Sequence, residues 1–210
     1  MVLRAVLAAA ARHKALTTYE NQTDAAFYHG QCLELLIDAL SAPDLAYDDN
    51  LLATIVCMRV YEELDDSCDD TLHLQGVRRL LTVIPTLAHT GGLAEAASWQ
   101  ALRQDIYVAL HKKVAPSFDL EPYRLSKVFD LRDHDAHANV IVLLFARILQ
   151  VTYPLPGSAT NESIAELQRE VDSWHMQSAS VFKPLYHKEA DIMAGQPFPT
   201  ICLSYPAQGQ

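Results

Sequence analysis

Apolar residues recur at intervals of three and four along this chain, and no strict alternation longer than a few residues competes with that period. The pattern predicts an all-α fold. A first helix starts abruptly at Met1 and runs through the Ala/Leu stretch ahead of His13-Lys14. Thr23-Asp24 caps a second, with Leu33, Leu36, Ile37 and Leu40 as its expected buried stripe and Ser41-Ala42-Pro43 as its end. A third begins at Asp48-Asp49 and runs to about Asp65. Its Leu52, Ile55, Val56 and Val60 are apolar on more than one side, as expected of a helix touched by several neighbours. Leu74, Val77, Leu80, Leu81 and Ile84 mark the next helix, up to Pro85, and Gly91-Gly92 then breaks the chain. The helix that follows, to about Lys113, carries Trp99, Leu102, Ile106, Ala109 and Leu110 at helical spacing. Ala115 to Asp133 is a long connection containing Pro116 and Pro122, and such connections are often functional. Ile141, Val142, Phe145, Ile148 and Leu149 define a buried helix that ends before Pro154. Ile164, Leu167, Val171 and Trp174 define another, with Ser163 and Glu166 spaced for a capping box. Beyond Val181, four prolines (Pro184, Pro197, Pro199 and Pro206) leave little room for helix. The expected organisation is one helical domain over 1–183 and an extended, Pro-containing tail over 184–210.

Composition narrows the function classes. A chain of 210 residues buries a sizeable core, and its 7 glycines are too few for the many turns of a β-sandwich or barrel. The formal charge of −10 repels phosphate backbones, and the cation pairs Arg78-Arg79 and Lys112-Lys113 suit a solvated helix face and a helix C-terminus. Direct nucleic-acid binding is therefore not expected. The longest apolar run, Val140 to Ala146, is too short to span a bilayer, so a soluble intracellular protein without a membrane partner is expected. Cys32, Cys57, Cys68 and Cys202 form no CxxC pair and suit reduced thiols in or near the core. The sequons at Asn21 and Asn161 fall at helix starts and suit chance matches.

Among motifs that could carry chemistry, the sharpest is Asp65-Asp66-Ser67-Cys68-Asp69 at the end of the third helix. Helical isoprenoid synthases hold Mg²⁺-diphosphate with a DDxxD in that position, and hard carboxylate oxygens suit Mg²⁺. A Mg²⁺-dependent terpene synthase-like enzyme using Asp65, Asp66 and Asp69 is the alternative reading. Against it, the second metal motif of that class has no counterpart, since NESIAELQRE puts Ala165 where a hydroxyl is needed. The plainer account has Asp65 and Asp66 closing one helix while Asp69 or Asp70 caps the next. His134 and His137, with Asp133 and Asp135 interleaved, share a helix face but lack a third ligand, and acidic residues there suit a helix N-terminus. Ser98 lies in no GxSxG elbow, Cys57 sits in an apolar run, and Gly91-Gly92 lacks the Gly-Lys-Ser/Thr end of a phosphate loop.

Several stretches, in order, carry a resemblance: YHGQCLELLIDAL (28–40), NLLATIVCMRVYEELD (50–65), HLQGVRRLL (73–81) and GGLAEAASWQALRQDIYVAL (91–110). ANVIVLLFARIL (138–149), LQREVDSWH (167–175) and VFKPLYH (181–187) continue it. Together they resemble the fungal-specific transcription-factor domain, the helical regulatory region of fungal zinc-cluster transcription factors. The resemblance implies a nuclear regulator of transcription by RNA polymerase II. It works through self-association, coregulators or a small effector, with no catalytic residue and no cofactor in these helices. Zinc is expected only in a separate six-cysteine cluster that reads DNA, which these residues do not contain. The family's pattern also implies terminal helices beyond both ends of this chain, and a stand-alone regulator that blocks its full-length relatives is the third reading. Arg103, Gln104 and Asp105, one helical step from the buried stripe, are expected in a structural hydrogen-bond network.

Overall fold

A computed structural model describes residues 1–19, 23–41, 49–64, 71–130, 134–153, 164–178 and 186–202. Its described residues are mostly helical, and the all-α class is what the sequence pattern calls for. Helix α1 (Val2–Thr18) packs on α2 (Thr23–Ser41) and on α3 (Asp49–Glu63). The residues that α1 buries are Ala5, Ala8, Arg12 and Ala15. Alanine loses no side-chain entropy in a helix and keeps the backbones close. The seam of α2 departs from the expected stripe. Leu36 is buried and Leu33 partly so, but Ile37 and Leu40 are exposed, because Ala25 and Cys32 face inward in their place.

Helix α3 is the centre of the fold, in contact with α1, with α4 (Leu72–Val83) and with α5 (Gly92–Lys112). It buries eight of its residues, Leu51 through Val56 together with Met58 and Arg59. This is why its apolar residues do not form one stripe. Between α4 and α5 the chain makes a 3-10 turn, Pro85–Ala88, and then passes through Gly91 at φ 83° and Gly92 at φ 67°. These left-handed values favour glycine, and they let α5 set off in a new direction.

On α5 the expected Trp99, Leu102, Ile106 and Ala109 are buried, while Leu110 is exposed. Much of the rest of the helix is also covered, with Glu95, Ser98, Gln104 and Asp105 inside, while Leu93, Ala96, Gln100 and Tyr107 form an exposed outer face. The 115–130 connection is no open loop. It contains a one-turn helix, α6 (Glu121–Arg124), and a 3-10 turn (Lys127–Asp130), and it buries Phe118, Leu120 and Tyr123.

Helix α7 (His134–Thr152) buries Ala136, Leu143, Leu144, Ala146 and Leu149, a face rotated from the expected one, so that Phe145 is exposed. Helix α8 (Ile164–Ser178) packs on α7 with Leu167 buried and Ile164 exposed. Two contacts fix it there. Arg147 forks onto Glu170 at 2.7 and 2.8 Å, and the Trp174 indole N–H donates to the His137 carbonyl at 2.8 Å. The expected capping residue Ser163 lies outside the described residues. Beyond α8, the region expected to be merely extended forms an antiparallel ribbon, exposed over residues 186–200. Strand β1 (Tyr186–Lys188) pairs with β2 (Thr200–Cys202), with Tyr186 opposite Cys202 and a further bridge between Asp191 and Gln196.

Candidate functional site

The site is built on two buried polar clusters that set the positions of α4, α5 and the connection after α5. The first surrounds Glu95. Its carboxylate accepts from the Gly91 N–H at 2.6 Å and from the Trp99 indole at 3.4 Å, and it takes the Ser126 hydroxyl as well. One side chain thus closes the start of α5 and holds the far end of the connection. The Tyr123 hydroxyl donates to the Ser98 carbonyl at 3.0 Å, and its ring meets Trp99 edge-on at 4.9 Å. Burial pushes the Tyr123 phenol far above its ordinary value, so it stays a protonated donor at any working pH.

Further along α5, Asp105 receives three bonds from the connection. The Ser117 N–H donates at 2.6 Å, the Ser117 hydroxyl at 2.7 Å and the Phe118 N–H at 3.2 Å. Burial pushes the Asp105 carboxyl up, and these donors and the nearby Arg78 charge offset only part of it. Arg103 donates to the Trp99 carbonyl and to Asn139 on α7, and Gln104 donates to the Val56 carbonyl on α3 at 3.4 Å. All three polar residues of this stretch are thus bonded within the fold.

The second cluster joins α3 to α4. Thr71, at the start of α4, has φ 55° and gives no side-chain cap. The cap comes from α3 instead, where Glu62 accepts from the His73 N–H at 3.2 Å and lies 2.8 Å from His73 Nδ1. Arg59, wholly buried, faces Glu62 at 3.3 Å and Glu63 at 3.4 Å. Burial would raise the Glu62 carboxyl, but His73 and Arg59 outweigh it and hold the group below its ordinary value.

With these supports in place, one face of α4 overlooks a groove floored by α5 and the connection. Its first part, about 250 Å³, is polar at its edges, with Thr71, Gln75, Arg78, Asp105 and Ser117 among its lining. Its second part, about 90 Å³, is an apolar slot between Leu81, Pro85, Ala88, Phe118, Pro122 and Tyr123. Arg78 lines both. A wider hollow of about 660 Å³ lies over the outer face of α5, beside Arg103, Tyr107 and His111.

Of the residues singled out by sequence, Arg78 and Asp105 line the groove, and Arg103 and Gln104 line the wider hollow. Asp65, Asp66 and Asp69 lie outside the described residues, as do Asp133 and the side chains of His134 and Asp135. His137 contributes its carbonyl to Trp174. Among the described residues no group of three or more His, Cys, Asp or Glu side chains is placed to hold a metal. Ser98 is buried and donates to the Glu95 carbonyl at 2.7 Å. Cys57 is half-buried, and burial pushes its thiol up, away from the reactive thiolate. The groove was not foreseen, because Arg78 has the sequence context of any solvated helix residue, and the slot's walls come from segments up to 45 residues apart, Arg78 to Tyr123. No described helix is long and apolar enough to cross a membrane. Comparisons of the chain with protein-family models, with curated proteins and with solved structures find no match.

Proposed function

We propose that this chain is a non-catalytic regulatory domain of a fungal zinc-cluster transcription factor. It acts in the nucleus through protein partners, including further copies of itself, or through a small effector, and it does not touch DNA. The observation that supports this reading is the use made of the most specific resembling stretch, Ala96 to Tyr107. Its polar side chains Arg103, Gln104 and Asp105 hold α7, α3 and the following connection in place, and the Ser98 carbonyl takes the Tyr123 hydroxyl of that connection. A helix used in this way is a scaffold that presents surfaces. The reading gives these helices no cofactor and no reacting group.

The test is to tether the chain to an unrelated DNA-binding domain above a reporter in a fungal host. Reporter output should rise or fall several-fold relative to the DNA-binding domain alone, and Leu102→Asp, which disrupts the buried face of α5, should abolish the change. Output equal to that of the bare DNA-binding domain, with the fusion present in the nucleus, would sink the reading.

A further inference from the structure

Helix α2 carries a second apolar face that the fold does not use. Ala25, Cys32 and Leu36 point inward, while Ala26, Gly30, Leu33, Ile37 and Leu40 recur at steps of four, three, four and three on another side. Ile37 is 61 % and Leu40 53 % exposed, Ala26 is exposed, and Gly30 and Leu33 are half-buried. That spacing is the seam by which one helix receives another. From residue 26 to residue 40 it runs about 21 Å. Gly30 adds a separate observation. Glycine inside a helix weakens it relative to alanine, yet a Cβ at Gly30 would meet nothing within 4 Å. The fold gains nothing from the missing side chain, whereas a helix laid on the seam gains close approach. One flank of the seam is acidic. Glu34, then Asp38 and Asp24, follow it round the same side of α2, and among the described residues their carboxylates make no hydrogen bond or ion pair. Helix α2 has no Lys or Arg, and Arg4 of α1 lies over the Tyr28 ring at 5.8 Å.

We propose that this face of α2 docks a basic amphipathic helix of a partner protein, with its Leu or Ile side chains in the seam and its Lys or Arg side chains on Glu34 and Asp38. An apolar stripe at helical spacing is met by a helix with a matching stripe. Charges that flank such a seam set the choice of partner. A second copy would lay one α2 against another, acids beside acids with no Lys or Arg between them, so charge selects a different chain. The inference gives the protein contact of the regulatory reading a face and a charge, and it rests on that reading for its biological meaning.

The test is fluorescence anisotropy of the full chain, at physiological salt, with a labelled, end-blocked peptide made of two repeats of Lys-Leu-Ala-Arg-Ile-Lys-Lys. Saturable binding is expected, weakened by about tenfold when Glu34→Lys and Asp38→Lys are combined. The same double variant should gain affinity for a peptide in which glutamates replace the cations. Ile37→Ser, at an exposed position, and Gly30→Trp, which obstructs the seam, should weaken binding similarly with far-UV circular dichroism unchanged. A shuffled peptide of the same composition, without the apolar stripe, should not bind. Equal affinity of the wild type for the shuffled peptide would overturn the proposal in favour of adsorption by charge alone. Equal affinity of the wild type, Ile37→Ser and Gly30→Trp would overturn it as well. Dimerisation of the wild type in sedimentation, lost in Ile37→Ser, would overturn it in favour of a second copy. A reporter response without peptide binding would leave the regulatory reading standing and remove this face, and peptide binding with a silent reporter would do the reverse.

Discussion

The Tyr123 hydroxyl donates to the carbonyl of Ser98 at 3.0 Å, a bond between residues 25 apart that ties the connection to the middle of α5. Tyr123 is 1 % exposed, and its ring rests on Trp99. Tyr123→Phe keeps the ring and should cost about 1 kcal/mol, the net worth of one buried hydrogen bond. Tyr123→Ala should cost about 3–5 kcal/mol by leaving a cavity. Urea unfolding followed by tryptophan fluorescence measures both, and equal costs would refute the assigned role of the hydroxyl.

Glu62 should make stability depend on pH in a defined direction. Its folded pKa is below the unfolded one, so the unfolded chain takes up the proton first. The stabilisation is therefore complete above the ordinary carboxylate range and is lost as pH falls through the lowered folded value. Glu62→Gln should flatten this limb of the stability curve and cost about 1–2 kcal/mol at neutral pH, a figure reduced by the partial exposure of the side chain. Urea titrations at intervals from neutral to acid pH test it, and an unchanged slope in the variant would count against the assignment.

Asp105 should behave in the opposite sense. Its folded pKa is raised, so the folded state takes up the proton first, and this group's contribution falls as pH rises from the ordinary carboxylate range through the raised folded value. Asp105→Asn keeps an acceptor for the Ser117 and Phe118 N–H groups and removes the buried charge. Asp105→Ala leaves both N–H groups without that acceptor and should cost about 2–4 kcal/mol more than Asn. Thermal unfolding of the two variants side by side decides the point, since a purely space-filling role predicts similar losses.

Gly91 should tolerate no side chain, for a reason of backbone alone. A Cβ there meets nothing within 4 Å, yet φ is 83° and ψ 177°, a region that is essentially glycine's own. Gly91→Ala should cost about 1–3 kcal/mol. A cost near zero in denaturant unfolding would mean that the turn relaxes freely.

The helices and their breaks were legible in the sequence because spacing, prolines and the Gly91-Gly92 pair are local signals. The inward faces of α2 and α7 were less so. On α2 the seam is made of Ala25, Cys32 and Leu36, and small residues carry little weight beside Ile37 and Leu40, which are exposed. Helix α5 is covered well beyond its apolar stripe, so its buried Glu95, Gln104 and Asp105 look in sequence like surface residues. Their partners, Ser126, the Val56 carbonyl and Ser117, are 31, 48 and 12 positions away. No helical period encodes such distances. The expected network around Arg103, Gln104 and Asp105 followed from their position beside the stripe, whereas the trans cap from Glu62 to His73 had no counterpart in the local pattern.

Arg59 and Arg78 are the same amino acid in opposite circumstances. Arg59 has no exposed surface and is neutralised by Glu62 and Glu63, while Arg78 is exposed and its guanidinium acts within the fold only through its charge, on Asp105. In a library of single-codon changes selected only for a folded chain, position 59 should come back almost unvaried and position 78 widely varied, with acidic residues depleted beside Asp105. The width of tolerance at the second, under selection for activity, would then mark how far its guanidinium is kept for something outside the molecule.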